Sequence, residues 1–182
     1  RVHRVSDPID VRAVRGKADL AAFVDFPYEL YPSASNWVPP LKMDIKDQLS
    51  VKKNPWFDHA EAEFFLARRA GRVVGRISAH IDHNFNEFQG NDWGLFGWFE
   101  CIDDQSVAEA LYDAAGAWLK ERGRDRMVGP FSYTTNDECG VLIEGFEIPP
   151  AILEPWNHAY YPQLFDNAGM TKAMDLLMYK ME

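Results

Sequence analysis

The stretch GWFECIDDQSVAEALYDAAGAWLKERG, residues 97–123, joins two patterns that decide the fold. Its first residues complete the apolar run WGLFGWFEC (93–101), and a run of that kind predicts a central strand covered on both faces. Apolar residues then recur at helical spacing up to Gly123, which predicts an amphipathic helix with a glycine stop. A strand that leads into a helix often binds phosphate at the helix amides. This junction has no glycine, and it carries three carboxylates, those of Glu100, Asp103 and Asp104.

The start of that helix carries capping signals. Ser106 and Glu109 have the spacing of a capping box, so we expect the helix to begin at Ser106. Asp103 and Asp104 precede it, and carboxylates there stabilise a helix N-terminus by about 0.3–1 kcal/mol each. A phosphate cradle and a cation-binding acidic loop are the alternatives for the same residues. RMVGPF (126–131) follows as a strand, and the crossover through the helix makes it parallel to the preceding strand.

Upstream, residues 62–82 predict a β-hairpin, because two β-rich runs flank Gly71 at a turn that needs a positive φ. A strand over 9–14 and a helix over 17–31 come before the hairpin, and a short helix is predicted near 43–49. Four apolar hairpin residues are predicted to lie in the core: Phe65, Ala67, Val74 and Ile77. Four arginines of the hairpin are expected to face water: Arg68, Arg69, Arg72 and Arg76.

Downstream, the segment 132–157 contains three prolines and is longer than an ordinary connection. We therefore predict a functional loop or lid there. Residues 158–170 predict a short helix that ends at Gly169, and residues 173–181 predict a last strand. The polar stretch 84–92 is interpreted as a connection.

Composition and charge narrow the class of protein. The chain has 182 residues, 47% of them hydrophobic, which is enough for one domain with a sizeable core. The formal net charge of −9 argues against a nucleic-acid partner, since phosphate binding needs a basic face. No apolar run reaches the roughly 18 residues of a membrane span, and no signal peptide is visible. We expect a cytoplasmic protein with no membrane partner.

Isolated polar and thiol residues receive structural interpretations. In HIDH (80–83), His80 and Asp82 point to one strand face and His83 to the other, which is poor geometry for a metal site. We interpret them as solvated residues at a strand end and expect no metal. Cys101 and Cys139 are predicted to be free thiols, because two cysteines are too few for a disulfide scaffold.

The order of elements resembles the GNAT (N-acetyltransferase) superfamily, whose α/β fold has a mixed, twisted sheet with helices on both faces. More narrowly, the sequence resembles an uncharacterised bacterial family of GNAT-like proteins. That likeness covers almost the whole chain and lies in NWVPP (36–40), KNPWFDHAEAEFFLARRAGRVVGRI (53–77), FGWFECIDD (96–104), ECGVLIEGFEIPP (138–150) and YYPQLFDNAG (160–169). Members of that family are often longer than this chain. We therefore expect residues 1–182 to form a single GNAT-like domain, which is either the N-terminal half of a longer protein or a segment of one.

The resemblance implies an N-acyltransferase that moves an acyl group from acetyl-CoA or another acyl-CoA to the amine of a small molecule or a protein. Its cofactor phosphates would bind at Cys101, Gln105, Ser106 and Val107. The glycine motif that GNAT enzymes usually carry there is absent, and Asp103 and Asp104 stand in its place. Like charges a few ångströms apart cost about 1 kcal/mol in water and several times that near a protein surface. An anion is therefore poorly matched to this junction.

The resemblance also implies catalytic residues. Glu100 ends the central strand and matches the general base, with Asp137 and Glu138 as weaker candidates. GNAT enzymes often use a tyrosine four residues before the glycine of the short helix as general acid, and that position here is Phe165. We therefore expect Tyr161, or Tyr160, to take that role from one turn earlier.

The segment 132–157 supplies apolar and aromatic walls with a few polar groups, a composition typical of a ligand groove. We predict that Asn136, Glu138 and Asn157 line this groove; the alternative is a loop that only packs over the sheet. A second function stands beside the acyltransferase. The missing glycines and Phe165 also fit a catalytically degenerate GNAT-fold domain that binds a ligand or pairs with a partner, either a second GNAT-like domain or a second copy of the chain.

Overall fold

The computed structural model of the chain describes residues 7–33 and 35–179. They form one sheet with the strand order β1 (Ile9–Ala13), β2 (Ala60–Arg69), β3 (Arg72–Asp82), β4 (Gly94–Cys101) and β5 (Met127–Val128). Neighbours from β1 to β4 are antiparallel, and β5 is parallel to β4. The predicted mixed sheet, the hairpin and the parallel fifth strand are confirmed.

The helices are α1 (Gly16–Leu30), α2 (Lys42–Gln48), α3 (His83–Gln89), α4 (Gln105–Glu121) and α5 (Tyr161–Asn167), with a 3-10 helix at Pro55–Asp58. α4 and α5 pack on one face of the sheet, and α1 and α2 pack on the other. Leu66 faces the α1 side whereas its neighbour Ala67 faces the α4 side, and both are fully buried. Helices on both faces, as predicted, therefore leave the central hairpin without a fully wet side.

The prediction that Arg76 faces water is wrong. Only 7% of this residue is exposed, because β3 is covered by α1 at this point. Arg68 and Arg69 are half-buried and Arg72 is exposed, so the prediction holds only towards the hairpin turn. The turn itself is formed by Ala70 and Gly71, both with positive φ.

Helix α4 begins earlier than the capping box predicts. Its N-cap is Asp104, whose Oδ1 accepts the backbone N–H of Ser106 at 3.0 Å. The Glu109 carboxylate instead accepts a hydrogen bond from the Gln105 side chain at 3.3 Å. The expected stabilisation of the helix by a preceding carboxylate is confirmed for Asp104, while the Ser106–Glu109 box is wrong.

Strand β4 is irregular where it approaches α4. Trp98 has a positive φ of 48°, and two residues of β4, Trp98 and Phe99, lie opposite the single β3 residue Ile77. Such a bulge bends a strand and re-aims its side chains. A Cβ at Gly97 would lie 1.6 Å from the carbonyl oxygen of Phe131, so glycine is what allows the segment after β5 to cross β4.

Three other predictions need correction. The stretch 84–92, predicted as a connection, contains most of α3, capped by Asp82 through the N–H of Phe85 at 2.9 Å. His80 and Asp82 are buried rather than solvated, because α3 and the 3-10 helix cover the end of β3. Residues 173–179 form no strand, and the remainder of that predicted strand lies outside the described residues.

Both cysteines are free, as predicted. Within 7–33 and 35–179, no helix is long and apolar enough to cross a bilayer.

Candidate active site

Glu100, at the end of β4, is the centre of a buried polar cluster. Its Oε2 accepts the hydroxyl protons of Tyr31 and Tyr161, each at 2.6 Å. Only 13% of the Glu100 side chain is exposed. Burial raises the pKa of Glu100, and Arg76 and the two tyrosines partly offset that rise. The carboxylate predicted as general base therefore stands in a fixed, nearly dry environment.

Arg76 supplies the balancing positive charge. Its Nη2 lies 3.8 Å from Glu100 Oε1, and its Nη1 donates to the carbonyl of Phe23 at 2.7 Å. The guanidinium also lies over the Phe23 ring, 4.9 Å from the centroid. A buried charge is tolerated when it is paired and hydrogen-bonded, and Arg76 meets both conditions.

Two tyrosines hold α5 against the end of β4. Tyr161 accepts the Cys101 N–H at 3.0 Å while its own hydroxyl donates to Glu100, and Tyr160 donates to the Cys101 carbonyl at 2.6 Å. Burial raises the pKa of Tyr161 well above its usual value, so the hydroxyl stays protonated. Phe165, in the position where GNAT enzymes often have a tyrosine, stacks on Phe96 at 6.1 Å.

A second carboxylate, that of Glu138, enters the same space from the segment after β5. The Phe131–Cys139 bridge closes this part of the chain, and the Ser132 N–H donates to the Glu138 carbonyl at 2.8 Å. The side chain is accessible to water, yet protein surrounds it on most sides because it lines a recess. That partial burial, together with Glu100 nearby, raises the pKa of Glu138 to about 7.

The recess has two lobes that share five residues: Trp37, Arg76, Trp98, Glu100 and Glu138. The larger lobe holds about 70 Å³ of space and opens to solvent, and its wall includes the aromatic residues Tyr31, Phe99, Trp156, Tyr161 and Phe165. The smaller lobe holds about 40 Å³ against α1 and α2, with Val24, Pro27, Tyr28, Pro40 and Ile45 in its wall. The two carboxylates therefore lie where two small lobes meet.

Of the predicted groove residues, Glu138 and Asn157 line the larger lobe and Asn136 does not. The polar atoms of Asn157 are engaged in holding the loop, since Oδ1 accepts the Leu142 N–H at 2.7 Å and Nδ2 donates to the Leu142 carbonyl. Asn136 lies exposed at the loop tip. Asp137, a weaker base candidate, accepts both the N–H and the hydroxyl of Thr134, so it shapes the turn.

The junction predicted to hold cofactor phosphates is internally satisfied. The Ser106 N–H points to Asp104 Oδ1, and the N–H groups of Val107 and Ala108 donate to the Asp104 carbonyl. Arg69 neutralises the Asp104 carboxylate at 2.7 Å. Asp104 thus already accepts the backbone N–H groups at which an anion would bind. The residues present therefore do not fit a diphosphate at these amides.

The other two predicted cofactor residues are engaged in the same way. The Cys101 side chain is fully buried with its N–H bonded to Tyr161, and the Gln105 amide donates to the Leu164 carbonyl at 3.2 Å.

Sequence reasoning missed several residues of the recess. Tyr31 ends α1 and is stacked between Trp37 and His158, each with ring centroids at 4.8 Å. Trp37 lies in NWVPP (36–40), a segment that carries the family likeness but no signal of a binding site. The position of Arg76 directly opposite Glu100 in the β3–β4 register was the available signal, and it required knowing the bulge at Trp98.

The sheet order and the helices on both faces define the GNAT fold. A solved structure of AAC(6')-Iy with the bisubstrate analog CoA-S-monomethyl-acetylneamine has a TM-score of 0.56 to this chain, with 14% identity over 96% of this chain and 99% of that one. At that identity the likeness is one of fold. No family model matches the chain.

Two curated bacterial proteins are similar in sequence. Protein YghO of Escherichia coli is 44% identical over 172 residues, and a protein named bacterial ceramide synthase from Caulobacter vibrioides is 42% identical over 173 residues. Each match covers 94% of this chain. The chain spans 44% and 45% of the length of these two relatives.

Proposed function

We propose that the chain carries the active site of an N-acyltransferase, which moves an acyl group from a thioester to an amine. The observation that carries the proposal is the pair of carboxylates, Glu100 and Glu138, at the meeting point of two lobes of one recess in a GNAT fold. An amine is protonated near neutral pH and must lose a proton before it can attack a carbonyl. A carboxylate within reach of the amine provides that base.

In the proposed reaction the carboxylate pair accepts a proton from the bound ammonium ion. The neutral amine then attacks the thioester carbonyl, a C–N bond forms, and the C–S bond breaks with its electron pair leaving on sulfur. Tyr161 is the proposed proton donor to that thiolate, because its hydroxyl lies at the end of β4 beside Glu100.

The proposed acyl donor is acetyl-CoA or a longer acyl-CoA. Because Asp104 occupies the amides at the start of α4, no step of the reaction depends on a diphosphate there. The chemistry requires only the thioester end of the donor, which must reach the recess.

The proposed acceptor is a primary amine with a long apolar chain. The relative that is 42% identical is named a ceramide synthase, and a ceramide is the amide of a fatty acid and a long-chain amino alcohol. Two lobes that meet at carboxylates give an amine and an acyl donor separate approaches to one centre.

A second candidate is a GNAT-fold domain without catalysis that binds a ligand or pairs with a partner. This candidate is favoured by Asp104, which occupies the backbone amides that would bind an anion, and by Phe165, which stands in place of a proton donor. Its partner would be a second GNAT-like domain or a second copy of this chain.

The test offers the chain acetyl-, octanoyl- and palmitoyl-CoA together with sphinganine or ethanolamine, and measures thiol release and the amide product by mass spectrometry. We expect amide formation with sphinganine and a long acyl donor. Glu100→Gln should lower turnover by at least about 100-fold. Glu144→Gln, an exposed carboxylate of the same loop, should leave it unchanged. No amide above the uncatalysed rate with any pair would favour the non-catalytic domain.

A further inference from the structure

The two carboxylates of the recess differ in what surrounds them. We infer that the recess receives its amine substrate as an ammonium ion, and that Glu138 rather than Glu100 takes the proton from it. This inference rests on the proposed acyltransferase function and assigns its proton acceptor and the charge state of its substrate.

Glu100 is poorly placed to accept a further proton. Its Oε2 already accepts two hydroxyl protons at 2.6 Å, and its Oε1 faces the Arg76 guanidinium at 3.8 Å. A proton on Glu100 would have to displace a tyrosine or leave a buried arginine without its counter-charge, and both changes are unfavourable in a dry site. Glu100 therefore acts as a fixed charge that positions its neighbours.

Glu138 has the complementary properties. Among the described residues, no side chain or backbone N–H donates a hydrogen bond to its carboxylate, so its lone pairs are open to the recess. The carboxylate is accessible to water and therefore to a substrate. Its backbone is held by the β-bridge between Phe131 and Cys139 and by the Ser132 N–H, which donates to the Glu138 carbonyl.

The charges of the recess select a cation. One arginine faces two carboxylates, so the site carries one surplus negative charge whenever both carboxylates are ionised. An ammonium ion supplies the missing positive charge, and Trp37 and Trp98 line the recess around the carboxylates. The titratable and charged groups that face Glu138 come from α1 and its C-terminus, β3, β4 and α5: Tyr28, Tyr31, Arg76, Glu100 and Tyr161.

The titration of Glu138 follows from this arrangement. Burial and the neighbouring Glu100 raise its pKa to about 7, so near neutral pH the group exchanges protons readily. A bound ammonium ion lowers that pKa again, which ionises Glu138 while the substrate is bound. The same ammonium ion then gives a proton to the carboxylate that it has just helped to ionise.

The step balances in atoms and charge. The ammonium ion and the Glu138 carboxylate become a neutral amine and a carboxylic acid. The nitrogen lone pair attacks the thioester carbonyl carbon and the C–S bond breaks. Tyr161 gives its hydroxyl proton to the leaving sulfur and is reprotonated by the second nitrogen proton. The products are an amide and a thiol, and Glu138 returns its proton to water.

The pH dependence of turnover tests the assignment. For Glu138→Gln we expect kcat to fall at least about 100-fold at neutral pH. The rate of this variant should then rise about tenfold per pH unit, as the free amine replaces the ammonium ion, and approach wild type in strong alkali. Glu100→Gln should be slower at every pH and should keep an acidic limb, displaced to lower pH because the Glu100 charge no longer raises the pKa of Glu138. Glu144→Gln, outside the recess, serves as the matched control.

Binding of n-octylammonium chloride tests the assignment without turnover. Calorimetric titrations at about pH 6, in two buffers of different ionisation enthalpy, count the protons released on binding. We expect release from the wild type that vanishes above about pH 8, and no release from Glu138→Gln. Equal proton release from Glu138→Gln, or no binding by the wild type, would overturn the inference. Wild-type binding with proton release but without amide formation would reject the acyltransferase alone.

Discussion

At the scale of single residues, His80 sets a pH dependence that is independent of catalysis. Its ring is fully buried between Trp56 and Tyr133, at 5.7 and 5.8 Å between ring centroids, and burial lowers its pKa to about 3. The unfolded chain would protonate this histidine near pH 6.5. Because the pKa is lowered on folding, the stabilisation is complete above about pH 6.5 and is lost as the pH falls towards 3.

We expect this histidine to remove up to about 1.4 kcal/mol of stability for each pH unit below 6.5. The measurement is urea unfolding between about pH 7 and pH 4. His80→Gln should show a shallower dependence than wild type. His83→Gln, at a half-exposed position, should keep the wild-type slope. Equal slopes for wild type and His80→Gln would show that the buried ring titrates normally.

Single residues were predictable where the sequence alone determines their chemistry. The resemblance implied Glu100 as general base and Tyr161 as general acid; the structure places their oxygens 2.6 Å apart, and both catalytic roles stay predictions. Arg76 was expected in water because arginine usually lies there. What buries Arg76 is the α1 residue Phe23, 53 positions away, and no local pattern reports such a contact.

At the scale of elements, the start of α4 decides between an anion site and a capped helix. Asp104 accepts the Ser106 N–H and hydroxyl and pairs with Arg69, whereas Asp103 is exposed. Replacing an N-cap aspartate with alanine typically costs about 1 kcal/mol.

We therefore expect Asp104→Ala to lower the free energy of unfolding by about 1 kcal/mol, and Asp103→Ala to change it by less than about 0.5 kcal/mol. Denaturant unfolding at neutral pH measures both. Similar losses for the two variants would mean that general charge at the helix N-terminus, rather than the hydrogen bonds of Asp104, holds α4 in place.

Elements with strong local signals were predicted well, and weak ones were not. The hairpin is marked by Gly71, and α4 by its apolar stripe, so both were found. Helix α3 is polar and short, and its signals were the Asp82 cap and Gly90, which ends it with a φ of 62°. The prediction of a capping box at Ser106 was wrong because Asp104, two residues earlier, is also a good N-cap residue. Which of the two caps the helix depends on the direction in which the chain leaves β4.

At the scale of the whole molecule, the topology assembles the site. The recess takes Tyr31 from the end of α1, Arg76 from β3, Glu100 from β4, Glu138 from the loop and Tyr161 from α5. No spacing in the sequence relates these positions, since they meet only through strand order and the bulge at Trp98. The fold was therefore within reach of sequence reasoning, as were Glu100, Glu138 and Tyr161, whereas the places of Tyr31 and Arg76 in the recess were not.

Net charge acts on the two proposed substrates in opposite directions. The chain carries a formal charge of −9, and the recess adds a surplus carboxylate when Glu138 is ionised. A field of that sign attracts an ammonium ion and repels CoA, which carries several negative charges. Salt screens both effects, because the Debye length shortens from about 30 Å at 0.01 M to about 8 Å at 0.15 M.

We expect kcat/KM for the amine to fall by up to about tenfold over that range of salt, and kcat/KM for acyl-CoA to rise. The uncharged donor S-octanoyl-N-acetylcysteamine provides the matched control, since its kcat/KM should not change with salt. Steady-state assays with each substrate varied in turn measure the three responses. A fall in kcat/KM for acyl-CoA with added salt would require a positively charged binding site for its phosphates. The α4 junction does not provide one, because Asp104 neutralises Arg69 there.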